Sequence, residues 1–212
     1  MIHNDLIPFV IEKTGRGERA MDIYSRLLRD RIVFVHSPIM DETASTVVAQ
    51  LLFLANEDAK ADIHLYVMCP GGSVSAGLAI YDTMQLIAPD VCSYCIGHAE
   101  SFGAILLTGG SKGKRYVLPN ATVMIHQPMI HGHVEGAVTD LDIEAREMLR
   151  IEQRLYELLA KHTGKDVEQI RKDCDRNYWM DAASAVEYGL ADQILSTGLG
   201  TTVGTAGSEA DK

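Results

Sequence analysis

The feature that most constrains the fold is an alternation of short apolar runs with helical spacings. Arg31–Val35, Ile63–Met68 and Val91–Ile96 each read as a buried strand. After the first, Asp41-Glu42-Thr43 opens a helix through Leu54 that is apolar at Val47, Val48, Leu51, Leu52 and Leu54. After the second, Pro70-Gly71-Gly72-Ser73 turns into a helix carrying Ala76, Leu78, Ile80, Tyr81 and Met84. After the third, Gly97-His98-Ala99-Glu100-Ser101-Phe102-Gly103-Ala104 leads into a buried helix at Ile105-Leu106-Leu107. Such alternation implies parallel strands joined by crossover helices, an α/β fold. In these folds ligands bind beyond the carboxyl ends of the strands. Gly72 and Ser101 lie just past two such ends. His126 ends a further short strand, Thr122–Ile125. Three groups from separate parts of the chain thus converge on one edge.

The remaining segments divide the chain further. Residues 1–19 pair an apolar piece, Leu6–Ile11, with a glycine-bracketed charged loop, and form a terminal segment that docks elsewhere. Residues 20–195 form the main domain, with helical spacing over Met21–Arg29 and a short strand over Lys114–Leu118. Met129–Gly136 reads as an extended flap. Within it His131 and His133 have no third ligand nearby, so no metal is expected. Ala137–Thr163 is the longest helix and ends at Gly164. Together with the flap it forms a handle over about residues 129–163, a natural oligomer interface. Val167–Cys174 and Ala182–Tyr188 read as shorter helices, and Leu190–Leu195 as a last strand. Residues 196–212 have too little apolar content to pack and are expected to be disordered.

Composition narrows the class of function. The 212 residues suffice for one ordinary core. The net charge of −10 argues against nucleic acid or an anionic membrane as the main partner. No apolar run reaches membrane-spanning length, and Met1–Asp5 does not begin a secretory leader. Cys92 and Cys95 match a redox or zinc spacing, but they lie inside an apolar strand without a second pair and read as buried thiols. A reducing, cytoplasmic location is expected.

The convergent residues suit acyl transfer. A serine lifted out of a strand-to-helix turn meets amides and a dipole that favour negative charge. The competing reading of Ser101 is a plain N-cap. A serine hydroxyl needs a neighbouring base, and His126 is the best placed of the eight histidines. An oxyanion would need two donors, for which a backbone amide from the Gly71-Gly72 turn and that of Phe102 are the candidates.

At this level the chain resembles the proteolytic subunits of the Clp protease family over about residues 5–195. The resemblance rests on Gly15-Arg16-Gly17-Glu18-Arg19, Tyr24-Ser25-Arg26-Leu27-Leu28, Pro70-Gly71-Gly72-Ser73-Val74 and Ile80-Tyr81-Asp82-Thr83-Met84-Gln85. It continues through Met124-Ile125-His126-Gln127-Pro128, His162-Thr163-Gly164 and Ala185-Val186-Glu187-Tyr188-Gly189-Leu190. It implies a ClpP/crotonase-like fold of repeated β-β-α units with a protruding handle, assembled into two stacked seven-membered rings. It implies a serine endopeptidase that cleaves unfolded polypeptide inside the ring chamber, fed by an ATP-driven unfoldase. No cofactor is implied for this chain, since ATP is used by the partner. Carried over by position, Ser101 is the nucleophile, His126 the base, and Gly72 and Phe102 the oxyanion donors. The N-terminal segment lines the pore. Tyr66 falls where the family has an aromatic in the apolar pocket that receives unfoldase loops, so docking and core packing are two readings of that ring.

Two departures from the family pattern matter. The third triad member is an aspartate in the family, whereas here the position reads Arg176-Asn177. An asparagine can hold an imidazole tautomer but adds no charge. Asp173 and Asp175 are nearby carboxylates, but on a helical turn a residue two earlier points elsewhere. Glu100 stands where the family has a small residue before the serine. These departures favour an alternative, a weakly active or inactive ring subunit that partners a more active paralogue. A crotonase-type acyl-thioester enzyme is a third reading, opposed by the serine–histidine pair.

Overall fold

A computed structural model describes residues 7–15, 17–129 and 135–196. Its centre is a parallel sheet built from β3 (Ile32–Val35), β4 (Ile63–Cys69), β5 (Val91–Glu100), β6 (Arg115–Val117) and β9 (Gln193–Ile194), in that order. The last three residues of β5 also pair in parallel with β7 (Thr122–Ile125). β8 (Tyr178–Met180) adds an antiparallel strand to the free side of β7. Helices α2 (Asp41–Glu57), α3 (Val74–Leu86) and α4 (Phe102–Thr108) make the crossovers. The expected α/β fold with parallel strands is therefore present.

The two faces of the sheet are chemically different because side chains alternate along each strand. Ile63, Leu65, Val67 and Cys69 of β4 point into the core and are completely buried. They meet the buried sides of α2 (Val47, Leu51, Leu54) and α3 (Ile80, Met84). On the other face the register places Phe34, Tyr66, Tyr94 and Tyr116 side by side. Their rings stack in a ladder with centroid separations of 5.5, 4.6 and 4.9 Å. Tyr66 is the half-buried second rung. Aromatic neighbours across paired strands are a unit of sheet stabilisation.

Helix ends follow the local sequence. The side chains of Ser73, Asp166 and Asp181 accept from first-turn amides of α3, α6 (Val167–Asp173) and α7 (Ala182–Tyr188). Asp41 and Glu42 sit in the first turn of α2, where carboxylates complement the dipole. The longest helix, α5 (Val138–Thr163), is capped by Gly164 in the left-handed conformation. Its C-terminal part buries Leu155, Tyr156 and Leu159, while Val138 and Ile143 in its first turns are 83% and 62% exposed.

Several boundaries differ from the sequence reading. Met21 and Asp22 are not helical: they end β2 (Gly17–Asp22), which forms an antiparallel hairpin with β1 (Phe9–Thr14), and α1 (Ile23–Arg29) starts after them. Asp22 caps α1 through a bond from the Ser25 amide, which sets the switch from strand to helix. β5 does not stop at Ile96 but runs to Glu100 through Gly97, whose positive φ of 72° accommodates an irregularity in the pairing with β4. The last strand is two residues, Gln193–Ile194, and β8 has no counterpart in the sequence reading. Residues 130–134 of the proposed flap, with His131 and His133, and residues 197–212 of the tail lie outside the described residues. All four cysteines are free and buried.

One buried ion pair ties the end of the chain to the sheet. Arg115 is 5% exposed and binds Asp192 with Nη2–Oδ1 at 2.6 Å and Nε–Oδ2 at 3.0 Å. Its Nη1 donates to the carbonyls of Thr108 and His162 at the ends of α4 and α5. His162 in turn meets the Tyr81 hydroxyl at 2.6 Å. Burial, followed by the charges of Lys161 and Arg115, lowers its pKa from 6.5 to about 4. Burial alone would raise the Asp192 pKa, but the hydrogen bonds and charge of Arg115 outweigh it and hold the carboxyl below 3.8.

These shifts predict acid sensitivity in two steps. The unfolded chain protonates His162 near pH 6.5 and the folded chain only near pH 4, so stability is full above 6.5 and falls between those values. One proton corresponds to a slope of up to about 1.4 kcal/mol per pH unit. Asp192 adds a second loss below about pH 3.8. Urea unfolding across pH 4–7 measures the first step, and His162→Gln is expected to flatten it.

Candidate active site

The site is built on the junction of β5 and α4. The Ser101 amide donates to the Met124 carbonyl at 2.8 Å, which ties the elbow to β7. The Ser101 carbonyl accepts from Ala104 at 3.1 Å and starts α4. Between these bonds Ser101 adopts φ 55° and ψ −120°, a region that costs a non-glycine residue about 1–3 kcal/mol. Its hydroxyl makes no capping bond to the helix. The N-cap reading of the side chain is therefore replaced by another partner: Ser101 Oγ lies 2.8 Å from His126 Nε2.

The turn facing the serine comes from the end of β4. Gly71 has φ 91°, and a Cβ there would stand 2.6 Å from the Ser101 Cβ. Gly72 has φ 148°, and a Cβ there would strike the Ile39 carbonyl at 2.2 Å. Ile39 donates to the Gly71 carbonyl and accepts from the Ser73 amide, both at 2.8 Å, so the turn is pinned like a strand fragment. Beneath it the buried Cys69 thiol accepts from the Gly71 amide at 3.3 Å and donates to the Ser37 carbonyl. Burial is the main cause of the rise of its pKa to about 11, so it stays a neutral thiol. Among the described residues the amides of Gly72 and Phe102 have no hydrogen-bond acceptor within the chain. Phe102 is the first residue of α4, where the amide has no intrahelical partner. The sequence brings Gly71 forward only as part of the Gly71-Gly72 turn, and its close approach to the serine appears in the fold.

His126 and Asn177 are brought together by register. β7 and β8 pair as Val123↔Met180, Met124↔Trp179 and Ile125↔Tyr178. The next opposed positions outward are His126 and Asn177. Gln127 then fastens the approach to β8 twice, from its amide to the Cys174 carbonyl and from Nε2 to the Asp175 carbonyl, both at 2.6 Å. Asn177 lines the same cavity as Ser101 and His126. The two neighbouring carboxylates do not. Asp173 accepts from Gln169 and from the Tyr188 hydroxyl at 2.8 and 2.7 Å. The Asp175 side chain is 70% exposed, 3.8 Å from Arg176. Glu100 is half-buried opposite Met124 and is not part of the cavity lining.

The cavity at the serine measures about 390 Å³. Ser101, His126 and Asn177 are among its lining residues, together with Gly71, Gly72 and apolar side chains of α3, α4 and α5. No group of metal-binding side chains occurs among the described residues. A hydroxyl held against an imidazole, beside two amides not engaged by the chain, is a geometry suited to acyl transfer. Tyr66 lies on the aromatic face of the sheet and does not line this cavity.

The sequence model of the Clp protease family matches residues 15–198. The chain belongs to this family of peptidases. No helix among the described residues is long and apolar enough to cross a membrane.

The close approach of Gly71 to the serine predicts a local cost for a side chain. Gly71→Ala is expected to lose about 1–3 kcal/mol of stability, through a strained positive φ and the clash at Ser101. Urea denaturation of the two proteins measures it.

Proposed function

We propose that the chain is a serine endopeptidase subunit of an ATP-dependent protease. The observation that carries this reading is the 2.8 Å contact between Ser101 Oγ and His126 Nε2 at a strained strand-to-helix elbow. In the proposed reaction His126 Nε2 takes the proton as Ser101 Oγ bonds to the scissile carbonyl carbon. The Gly72 and Phe102 amides donate to the resulting oxyanion. The intermediate collapses to an acyl-serine as the amine leaves with the proton from His126. Water, deprotonated by His126, then releases the acid and restores the hydroxyl. No metal or cofactor enters these steps. Asn177 is the third member, holding the imidazole tautomer without contributing charge.

Assembly belongs to the same proposal. The exposed apolar residues in the first turns of α5 suit a handle between two stacked heptameric rings. The β1–β2 hairpin would line the axial pore. An AAA+ Clp unfoldase would consume the ATP and supply unfolded polypeptide, docking at the aromatic face that carries Tyr66. Four unpaired cysteines suit a reducing cytoplasm.

Asn177 favours a second reading, a slow or silent ring subunit whose partner paralogue does most of the cleavage. Hydrolysis of a short fluorogenic peptide by the wild type, Ser101→Ala and Asn177→Asp separates the two. Measurable hydrolysis that vanishes in Ser101→Ala supports the peptidase. Asn177→Asp is expected to raise kcat at least about tenfold, since the reverse exchange in a serine triad costs about 10⁴. Silence in all three would overturn the stand-alone peptidase.

A further inference from the structure

We propose that Gln127 is a positioning residue: it clamps the end of α6 and so holds the segment that carries Asn177 in place beside His126. This rests on the peptidase reading of Ser101 and His126. Gln127 directly follows the base and directly precedes Pro128, and the residue before a proline is confined to extended backbone. Successive side chains of extended backbone point to opposite sides. His126 lines the cavity at Ser101, whereas Gln127 is half-buried and is not among the lining residues. Its side chain reaches instead to the loop between α6 and β8.

The last carbonyls of a helix lack donors within it. At the end of α6 Gln127 supplies two. Its backbone amide donates to the carbonyl of Cys174, the buried C-terminal cap, and its Nε2 donates to the Asp175 carbonyl, each at 2.6 Å. Beyond Asp175 only Arg176 and Asn177 remain before β8 starts at Tyr178. Asn177 is thus bracketed by the Gln127 bonds on one side and the three pairs of the β7–β8 ladder on the other. The residue is exposed, so packing does little to hold it. Arg176 Nη1 also donates to the Asp175 carbonyl, at 2.9 Å, but it belongs to the same segment and cannot tie that segment to His126. The Gln127 side chain does join the two. A hydrogen bond of this kind is worth roughly 2- to 10-fold in an equilibrium. A plain helix cap would exert that effect whatever stands at position 177, whereas a positioning residue exerts it through position 177.

The test is a cycle of four full-length proteins, Asn177→Asp and Asn177→Ala, each with and without Gln127→Ala. Hydrolysis of a short fluorogenic peptide gives kcat and KM separately. In Asn177→Asp, Gln127→Ala is expected to lower kcat at least threefold and to leave KM within twofold. In Asn177→Ala the same change should move kcat less than twofold, because no polar group remains at position 177 to be held. Losses of similar size in both backgrounds would overturn the proposal in favour of a plain cap. Gln127→Glu keeps the length of the side chain but removes the donor, and it carries the cycle if Gln127→Ala does not fold. Amide hydrogen exchange of the wild type and of each Gln127 variant reads the clamp without hydrolysis. The amides of residues 177–180 are expected to exchange at least threefold faster in the variants, with those of β4 and β5 unchanged. Exchange that stays the same at residues 177–180, or quickens throughout the sheet, would overturn the clamp. Faster exchange confined to residues 177–180 with no hydrolysis by any of the proteins would overturn the peptidase reading and leave the clamp standing.

Discussion

The site depends on one unfavourable backbone conformation, the elbow at Ser101. Holding a serine at φ 55° costs about 1–3 kcal/mol, and nothing in the residue itself favours it. The compensation comes from α4. All seven residues of that helix are buried, among them Phe102, Leu106 and Leu107, and each large side chain contributes about 1.5–3 kcal/mol on burial. The burial of α4 outweighs the strain. The amide bond to Met124 and the fit of Gly71 against the serine then leave the elbow no relaxed alternative. The hydroxyl is presented to His126 because the helix behind it has to be inside.

Much of this was legible in the sequence because burial leaves a pattern. β3, β4 and β5 and the helices between them are long enough to show a period, and their order implied the parallel sheet. Ser101 and His126 were legible because each closes a strand on the same sheet edge. Other features lack a one-dimensional signal. Tyr178-Trp179-Met180 is too short for alternation, and two of its three residues are exposed, so it becomes a strand only because β7 offers unpaired backbone. Gly71 differs from Gly72 in sequence only by position, and its role appears when the serine Cβ is found beside it. Gly97-His98 looks like a turn because glycine usually breaks strands, yet here it bends one without ending it. The uses of Asp173 and Asp175 could not be read either, since their separation from Asn177 is set by partners on other elements.

Helix α5 serves two environments. Its C-terminal turns line the cavity through Leu155, Tyr156 and Leu159, and its first turns present apolar side chains to the outside. The helix simply outruns the body of the domain, and its last turn is anchored where His162 and Arg115 meet. A rigid rod joined in this way links the wall of the cavity mechanically to whatever rests on its far end.

The antiparallel ladder of β7 and β8 has three rungs, and among the described residues β8 pairs with no other strand. Short edge elements are the first to open in local fluctuations, at a fraction of the free energy of global unfolding. His126 directly follows the strand that stays and Asn177 directly precedes the strand that frays. Opening of β8 would therefore separate the imidazole from its neighbour while the serine elbow, the glycine turn and the core remained intact. In the proposed triad the alignment of His126 with Asn177 would rest on one of the shortest strands, where anything that covers Tyr178 and Trp179 would act as a brace.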